Sequence, residues 1–314
     1  MNYFSQLVSQ RQAVELLQEA VGRNRIASAY LFAGSPGIGR SLAAKCFSQW
    51  LLCLNLSPEK SAIAQKRALA GNHPDLLWVE ATYQHQGQFL TAKEAAAAGL
   101  KRKAAPQIRI EQIRDIAQFL NRPPIEASRL VVVIEEAQAM TEAAANALLK
   151  TLEEPGRATI ILIAPSTDVL LPTIVSRCQK IPFYRLSPEE MEEVLRRNGH
   201  EAILTHPEIL AIAQGSPGEA IAAFAQLQAI PEALRQQLSQ LPDSPLNALE
   251  LAKAIDRELD TQAQIWLIDY LEYIYWQNWQ QKDLLELLER ARQCLLSYVQ
   301  PRLVWECTLL EMML

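Results

Sequence analysis

Two short apolar runs leave this chain little choice of fold. Leu130-Val131-Val132-Val133-Ile134 and Ile160-Ile161-Leu162-Ile163-Ala164 are continuous, mostly β-branched and too short for helices. A strand that is apolar at every position has both faces covered, the condition of a central strand in a parallel sheet flanked by helices. Each run opens into polar residues: Glu135-Glu136 after the first, Pro165-Ser166-Thr167 after the second. In open α/β sheets, ligands sit at the carboxyl ends of the strands. Glu135 is placed to hold a metal ion through water, Glu136 to orient an attacking water, and Ser166 and Thr167 to bond a terminal phosphate. Ser176-Arg177-Cys178 lies further along. Two buried strands with phosphate-reaching ends, then an arginine, make the layout of a nucleotide switch.

A third strand completes the motif. Ala29-Tyr30-Leu31-Phe32-Ala33 runs into Gly34-Ser35-Pro36-Gly37-Ile38-Gly39-Arg40-Ser41 and then a helical stretch from Leu42. Strand, glycine loop and helix in that order are what a phosphate loop requires, because backbone N–H groups and the helix N-terminus then close on phosphate oxygens. Gly34, Gly37 and Gly39 supply the loop and Ser41 the hydroxyl. Arg40 stands where such loops carry lysine. A guanidinium is planar and wide where an ammonium is a compact point charge, so binding survives this exchange better than phosphoryl transfer does. Glu135, a methylene longer than the usual aspartate, weakens catalysis in the same direction.

The remaining sequence narrows the class. The longest apolar runs are about five or six residues, against roughly 20 for a bilayer-spanning helix, so no membrane association is expected. The start, Met-Asn-Tyr-Phe-Ser-Gln, lacks a basic segment leading into an apolar one, and a cytoplasmic location is expected. Five cysteines (46, 53, 178, 294, 307) contain no C-x-x-C pair, and the four histidines (73, 85, 200, 206) form no ligand cluster. A net charge of −5 excludes a broad electrostatic grip on DNA. Pro58 to Ala70 reads as a helix, Leu76 to Val79 as a strand, and Ile110 to Leu120 as a helix ending before Pro123-Pro124. Between them, residues 81–107 loosen into an alanine-rich insertion with Lys93, Lys101, Arg102 and Lys103. Composition favours a solvated surface loop there over a basic contact to DNA or a partner.

These stretches together resemble the AAA+ clamp-loader family of bacterial DNA polymerase III. The resemblance spans roughly residues 3 to 225. It rests on Ala29 to Phe32 leading into the glycine loop, on Asn146-Ala147-Leu148-Leu149-Lys150-Thr151-Leu152-Glu153-Glu154-Pro155, on Leu171-Pro172-Thr173-Ile174-Val175-Ser176-Arg177-Cys178, and on Gly215-Ser216-Pro217-Gly218. It implies an α/β fold: an AAA+ P-loop parallel-sheet module over 1–184, a helical lid over 185–228 and an all-α collar over 229–314. It also implies a ring of five subunits that opens the sliding β-clamp and places it on primed DNA. In that ring the chain sits beside gamma/tau motor subunits and a delta subunit. Arg177 is then an arginine finger acting in trans on a neighbour's ATP. Motor subunits have Gly-Ser-x-Arg in the lid, and Gly218 takes that arginine's place here. With Arg40 and Glu135, this makes three weakened catalytic positions, so ATP with Mg²⁺ is expected to bind weakly or without hydrolysis. An active motor ATPase is the alternative, favoured by the intact G-x-x-x-x-G-x-S spacing and Glu136; a small-molecule P-loop kinase gains nothing from Ser176-Arg177-Cys178. Relatives carry a four-cysteine zinc module after the phosphate-loop helix. Cys53 matches its first ligand, but no cysteine lies between Cys53 and Cys178, so no zinc is expected.

The C-terminal part is helical throughout. Ser187-Pro188-Glu189-Glu190 is a helix start, and Pro242, Pro245 and Pro301 punctuate the later helical runs. Trp266, Tyr270, Tyr273, Ile274, Trp276 and Trp279 share one aromatic-rich helix. Aromatic anchors of a subunit interface and the core of an ordinary bundle are equally good readings of it; the resemblance points to the interface.

Overall fold

The computed structural model describes residues 3–85, 87–99, 105–153 and 156–313. It divides into two compact units, Met1–Arg185 and Leu186–Leu314.

The first unit begins with α1 (Arg11–Gly22), β1 (Ala29–Ala33), α2 (Arg40–Cys53), α3 (Pro58–Leu69) and β2 (Leu76–Val79). A hairpin of β3 (Thr82–His85) and β4 (Gln88–Thr91) precedes the short α4 (Ala92–Ala97). Then come α5 (Ile110–Leu120), β5 (Leu130–Ile134), α6 (Glu142–Glu153), β6 (Ala158–Ala164), α7 (Pro172–Val175) and β7 (Gln179–Pro182). Five strands form one sheet in the order β2-β5-β6-β1-β7, and every pairing in it is parallel. All five residues of β5 and all seven of β6 are buried. The two apolar runs are thus the central strands their composition required.

The hairpin differs from the loose insertion that composition suggested for 81–107. Thr82 and Gln107 exchange backbone hydrogen bonds of 2.9 and 3.0 Å, and β3 pairs antiparallel with β4 around Gly87, whose φ of +81° suits a reversal. Arg109 then covers the exposed Phe89 ring at 5.8 Å. Polar residues on both strands hid the β-pattern; the register to Gln107, far along the chain, supplies the order. The basic cluster Lys101-Arg102-Lys103 lies outside the described residues.

The second unit is helical: α8 (Pro188–Arg197), α9 (Pro207–Ala213), α10 (Pro217–Ala229), α11 (Glu232–Leu238), α12 (Pro245–Glu258), α13 (Thr261–Trp279), α14 (Lys282–Leu296) and α15 (Pro301–Glu311). Ser187 caps α8 in a reciprocal box with Glu190, as Ser-Pro-Glu-Glu suggested. Buried side chains from Met191 to Met312 share one apolar core. Within it, Trp305 donates its indole N–H to Gln264, 2.9 Å, and Gln264 donates to the Leu259 carbonyl, 2.9 Å, so both polar groups are paired. Tyr270 and Tyr275 of the aromatic helix are buried in this core, whereas Trp276 is exposed. Among the described residues, no helix is long and apolar enough to cross a membrane.

Candidate nucleotide site and the exposed arginine

The glycine loop joins β1, near the middle of the sheet, to α2. Gly34 donates its N–H to the Ala164 carbonyl at the end of β6, 3.3 Å. A Cβ on Gly34 would stand 2.5 Å from the Phe183 carbonyl oxygen, so only glycine fits. Gly39, at φ +101°, is the residue before α2. It brings the chain within 2.9 Å, measured from a notional Cβ, of Leu7. Gly37 also has a positive φ, +73°. The first turn of α2 begins at Arg40 with no side-chain cap, so its N–H groups point toward the loop, the arrangement that favours an anion. Arg40 is half-buried.

Ser41 donates to one oxygen of Glu135 at 2.5 Å, and the Trp78 indole N–H donates to the other at 2.8 Å. Sequence gives Ser41 and Glu135 separate roles and does not pair them; the contact joins α2 to the end of β5. Trp78 was missed, since an aromatic residue in a strand carries no sign of its partner. The Lys45 ammonium lies 5.6 Å from the Trp78 ring centre. Beyond Trp78 a cavity of about 780 Å³ opens between α2, the end of α3, β2 and the hairpin, with Glu135 on its wall. Burial, and after it the Glu135 charge, pushes the Glu80 carboxyl there above its ordinary value.

Gln10 was missed as well. It is buried at 5% exposure, and its amide donates to the Ile38 carbonyl, 3.2 Å, and the Tyr184 carbonyl, 2.6 Å. Its own carbonyl accepts from the Tyr184 N–H, 3.1 Å. One side chain thus ties the phosphate loop to the strand exit after β7. A single glutamine before a helix gives no local signal of this.

The other expected residues divide. Glu136 is exposed at φ +53°, a left-handed conformation held by its carbonyl accepting from Ala139, 2.7 Å. Thr167 lies just beyond β6, its hydroxyl donating to Asp168, 3.2 Å. The glycine loop, Glu135-Glu136 and Thr167 therefore all succeed the carboxyl ends of parallel strands. Arg177 does not. It comes two residues before β7, which starts at Gln179 opposite Tyr30, while the loop starts at Gly34 past the far end of β1. At about 3.3 Å per residue the two ends of β1 are separated by more than the length of an arginine side chain. Arg177 is exposed; one guanidinium nitrogen donates to Glu153 at 2.8 Å and the other to the Thr173 carbonyl at 3.0 Å. Cys178 beside it is buried, and burial pushes its thiol up to about 12. Among the described residues no three His, Cys, Asp or Glu side chains are grouped to hold a metal ion. Ser41 and Glu135 are the oxygen pair that would fit a divalent ion accompanying a bound polyphosphate, and the glycine loop with the start of α2 would meet the phosphates.

Similarity to known proteins agrees with this architecture. Residues 9–187 match the family described as DNA polymerase III, delta subunit. The chain belongs to that family. Residues 189–312 match a second family model, the cyanobacterial DNA polymerase III delta prime C-terminal domain. The delta' subunit of Bacillus subtilis is 34% identical over 189 residues, 59% of this chain and 51% of that one. The delta' subunit of Pseudomonas aeruginosa is 32% identical over 239 residues, 70% and 66%. The tau subunit of Escherichia coli is 27% identical over 264 residues, 80% and 38%. The chain thus spans between a third and two thirds of these relatives' lengths. A gamma subunit-related protein of Thermotoga maritima shares the fold, with TM-score 0.55 at 17% identity over 96% of this chain and 98% of that one. The parallel sheet with its glycine loop, followed by a helical second unit, is the α/β fold expected from sequence.

Proposed function

We propose that this chain is the fixed, delta'-like subunit of a clamp-loader ring and works by lending Arg177 to a neighbour. The ring it joins has five members, with gamma/tau motors and delta, and loads the sliding β-clamp on primed DNA in the bacterial cytoplasm. Its lid is 185–228 and its collar 229–314. The observation that carries the reading is the position of Arg177: solvent-exposed and at the opposite end of the sheet from the chain's own glycine loop. A cation so placed serves a phosphate on another chain, where it stabilises charge that develops during transfer. The loop itself is read as a nucleotide site without turnover. Gly34, Gly37 and Gly39 would cradle phosphates, with Arg40, Ser41, Glu135, Glu136 and Thr167 around them. ATP with Mg²⁺ bound there supplies rigidity rather than reaction, because Arg40, Glu135 and Gly218 replace the lysine, aspartate and lid arginine that transfer needs.

The test is Arg177→Ala in the reconstituted complex. DNA-stimulated ATP turnover should fall at least ~100-fold, as loss of an arginine finger does, with ring assembly intact. Disassembly of the ring, or unchanged turnover, sinks the assignment. The 2.5 Å contact of Ser41 with Glu135 favours one second reading, an active motor, since it already pairs the two groups that serve a divalent ion. ATP turnover by the isolated chain at motor-like rates would establish that reading instead.

A further inference from the structure

Arg177 does not project freely from the surface; a carboxylate on another helix holds it. Glu153 is the last residue of α6, and Arg177 lies two residues past α7, so the two helix ends meet at this contact. A guanidinium has five N–H donors. One on Nη2 goes to the Glu153 carboxylate at 2.8 Å and one on Nη1 to the Thr173 carbonyl at 3.0 Å. Ser176 donates to the same Thr173 carbonyl, 3.0 Å, which fixes the backbone from which Arg177 projects. Two donors are thus committed to the home subunit and three are left for a ligand. The partners are exposed, 38% for the Arg177 side chain and 54% for Glu153, so the pair contributes little to folding. A free arginine at a surface samples many rotamers, and fixing it on contact with a phosphate weakens that contact.

We infer that Glu153 is a positioning residue for Arg177, holding the guanidinium ready for a neighbour's phosphate. This rests on the finger reading above. In the reconstituted complex, Glu153→Ala should lower kcat for ATP about 5- to 20-fold with KM changed less than twofold. Glu153→Gln, which keeps the accepting oxygen, should restore most of the rate. The Glu153→Ala loss should vanish when Arg177 is already alanine, because the residue acts only through the finger. Assembly and the melting temperature of the isolated chain should not move. Full kcat in Glu153→Ala with an inactive Arg177→Ala complex overturns this inference and leaves the finger standing. An equal Glu153→Ala effect in the Arg177→Ala background also overturns it, since the residue would then act elsewhere. If Arg177→Ala itself keeps full turnover, the finger reading fails and takes this inference with it.

Discussion

The two ends of one parallel sheet are built on opposite rules. At the carboxyl end, the groups that sequence marks for nucleotide chemistry are bonded into the protein: Ser41 and Trp78 to Glu135, and Gln10 to the loop backbone at Ile38. At the amino end, Arg177 is exposed and held only by an exposed carboxylate and a helix-end carbonyl. The contrast teaches where to look for work done on other chains. A group tied by buried or half-buried bonds serves its own fold first; a charged group with weak, exposed partners is available to a ligand.

The sharpest way to break that comparison is a paired substitution. Arg177→Ala should cost the complex at least ~100-fold in DNA-stimulated turnover. Ser41→Ala, at the other end, should change turnover less than about twofold while destabilising the chain by about 1 kcal/mol through the lost bond to Glu135. Steady-state ATPase and a denaturant titration read both. A large turnover loss in Ser41→Ala would mean that the carboxyl end works as a motor site.

Gly34→Ala comes next. The added Cβ meets a backbone oxygen at 2.5 Å and Ile38 at 2.9 Å, and a carbonyl of the neighbouring chain segment cannot swing away. The expected loss is about 3 kcal/mol, at the upper end for overpacking, read as a lower urea midpoint with an unchanged slope. Gln10→Ala should rank after it at about 2 kcal/mol, since it removes one hydrogen bond to buried Ile38 and two to the Tyr184 backbone, at roughly 0.5–1 kcal/mol each. Stability near wild type in either variant would show that the loop is less firmly built into the fold than its contacts state.

The sheet and the loop were legible in the sequence because each rests on a local rule. Five apolar residues in a row cannot alternate between a buried and a solvated face, and a glycine loop between strand and helix has one geometry. The residues that hold the site were not legible. Trp78 and Glu135 are 57 positions apart, and Gln10 and Tyr184 are 174 apart; a pairing at such separation leaves no trace in a single sequence. The hairpin at 82–91 was hidden for the same reason, since its order comes from Gln107. The aromatic helix was half legible: the count of aromatics announced an apolar role, but nothing in the 3.6-residue period said that Tyr270 and Tyr275 turn into their own core while Trp276 turns outward.

The smallest effect expected tests how the amino end of the sheet is anchored. His73, at 3% exposure just before β2, accepts a hydrogen bond at Nδ1 from the Asp75 N–H, 3.1 Å. Asp75 in turn receives the N–H groups of Ile125, Glu126 and Ala127 at 2.7 to 2.8 Å, which fixes the turn before β5. Burial holds the His73 pKa below its ordinary value of 6.5, outweighing the opposing pull of Asp75 and Glu126, with Arg67 adding to the depression. The Nδ1 contact agrees, because a protonated ring would turn that nitrogen into a second donor facing an N–H. The unfolded chain therefore binds a proton at a pH where the folded chain does not. Stability from this group is full above about pH 6.5 and declines as pH falls toward the depressed folded value, by at most about 1.4 kcal/mol per pH unit. Urea midpoints at pH 7.5 and 5.5 should differ by more in the wild type than in His73→Gln, whose amide oxygen can accept from Asp75 but cannot titrate. Equal differences in the two proteins would remove His73 from the anchor and leave the three N–H bonds of Asp75 to hold it alone.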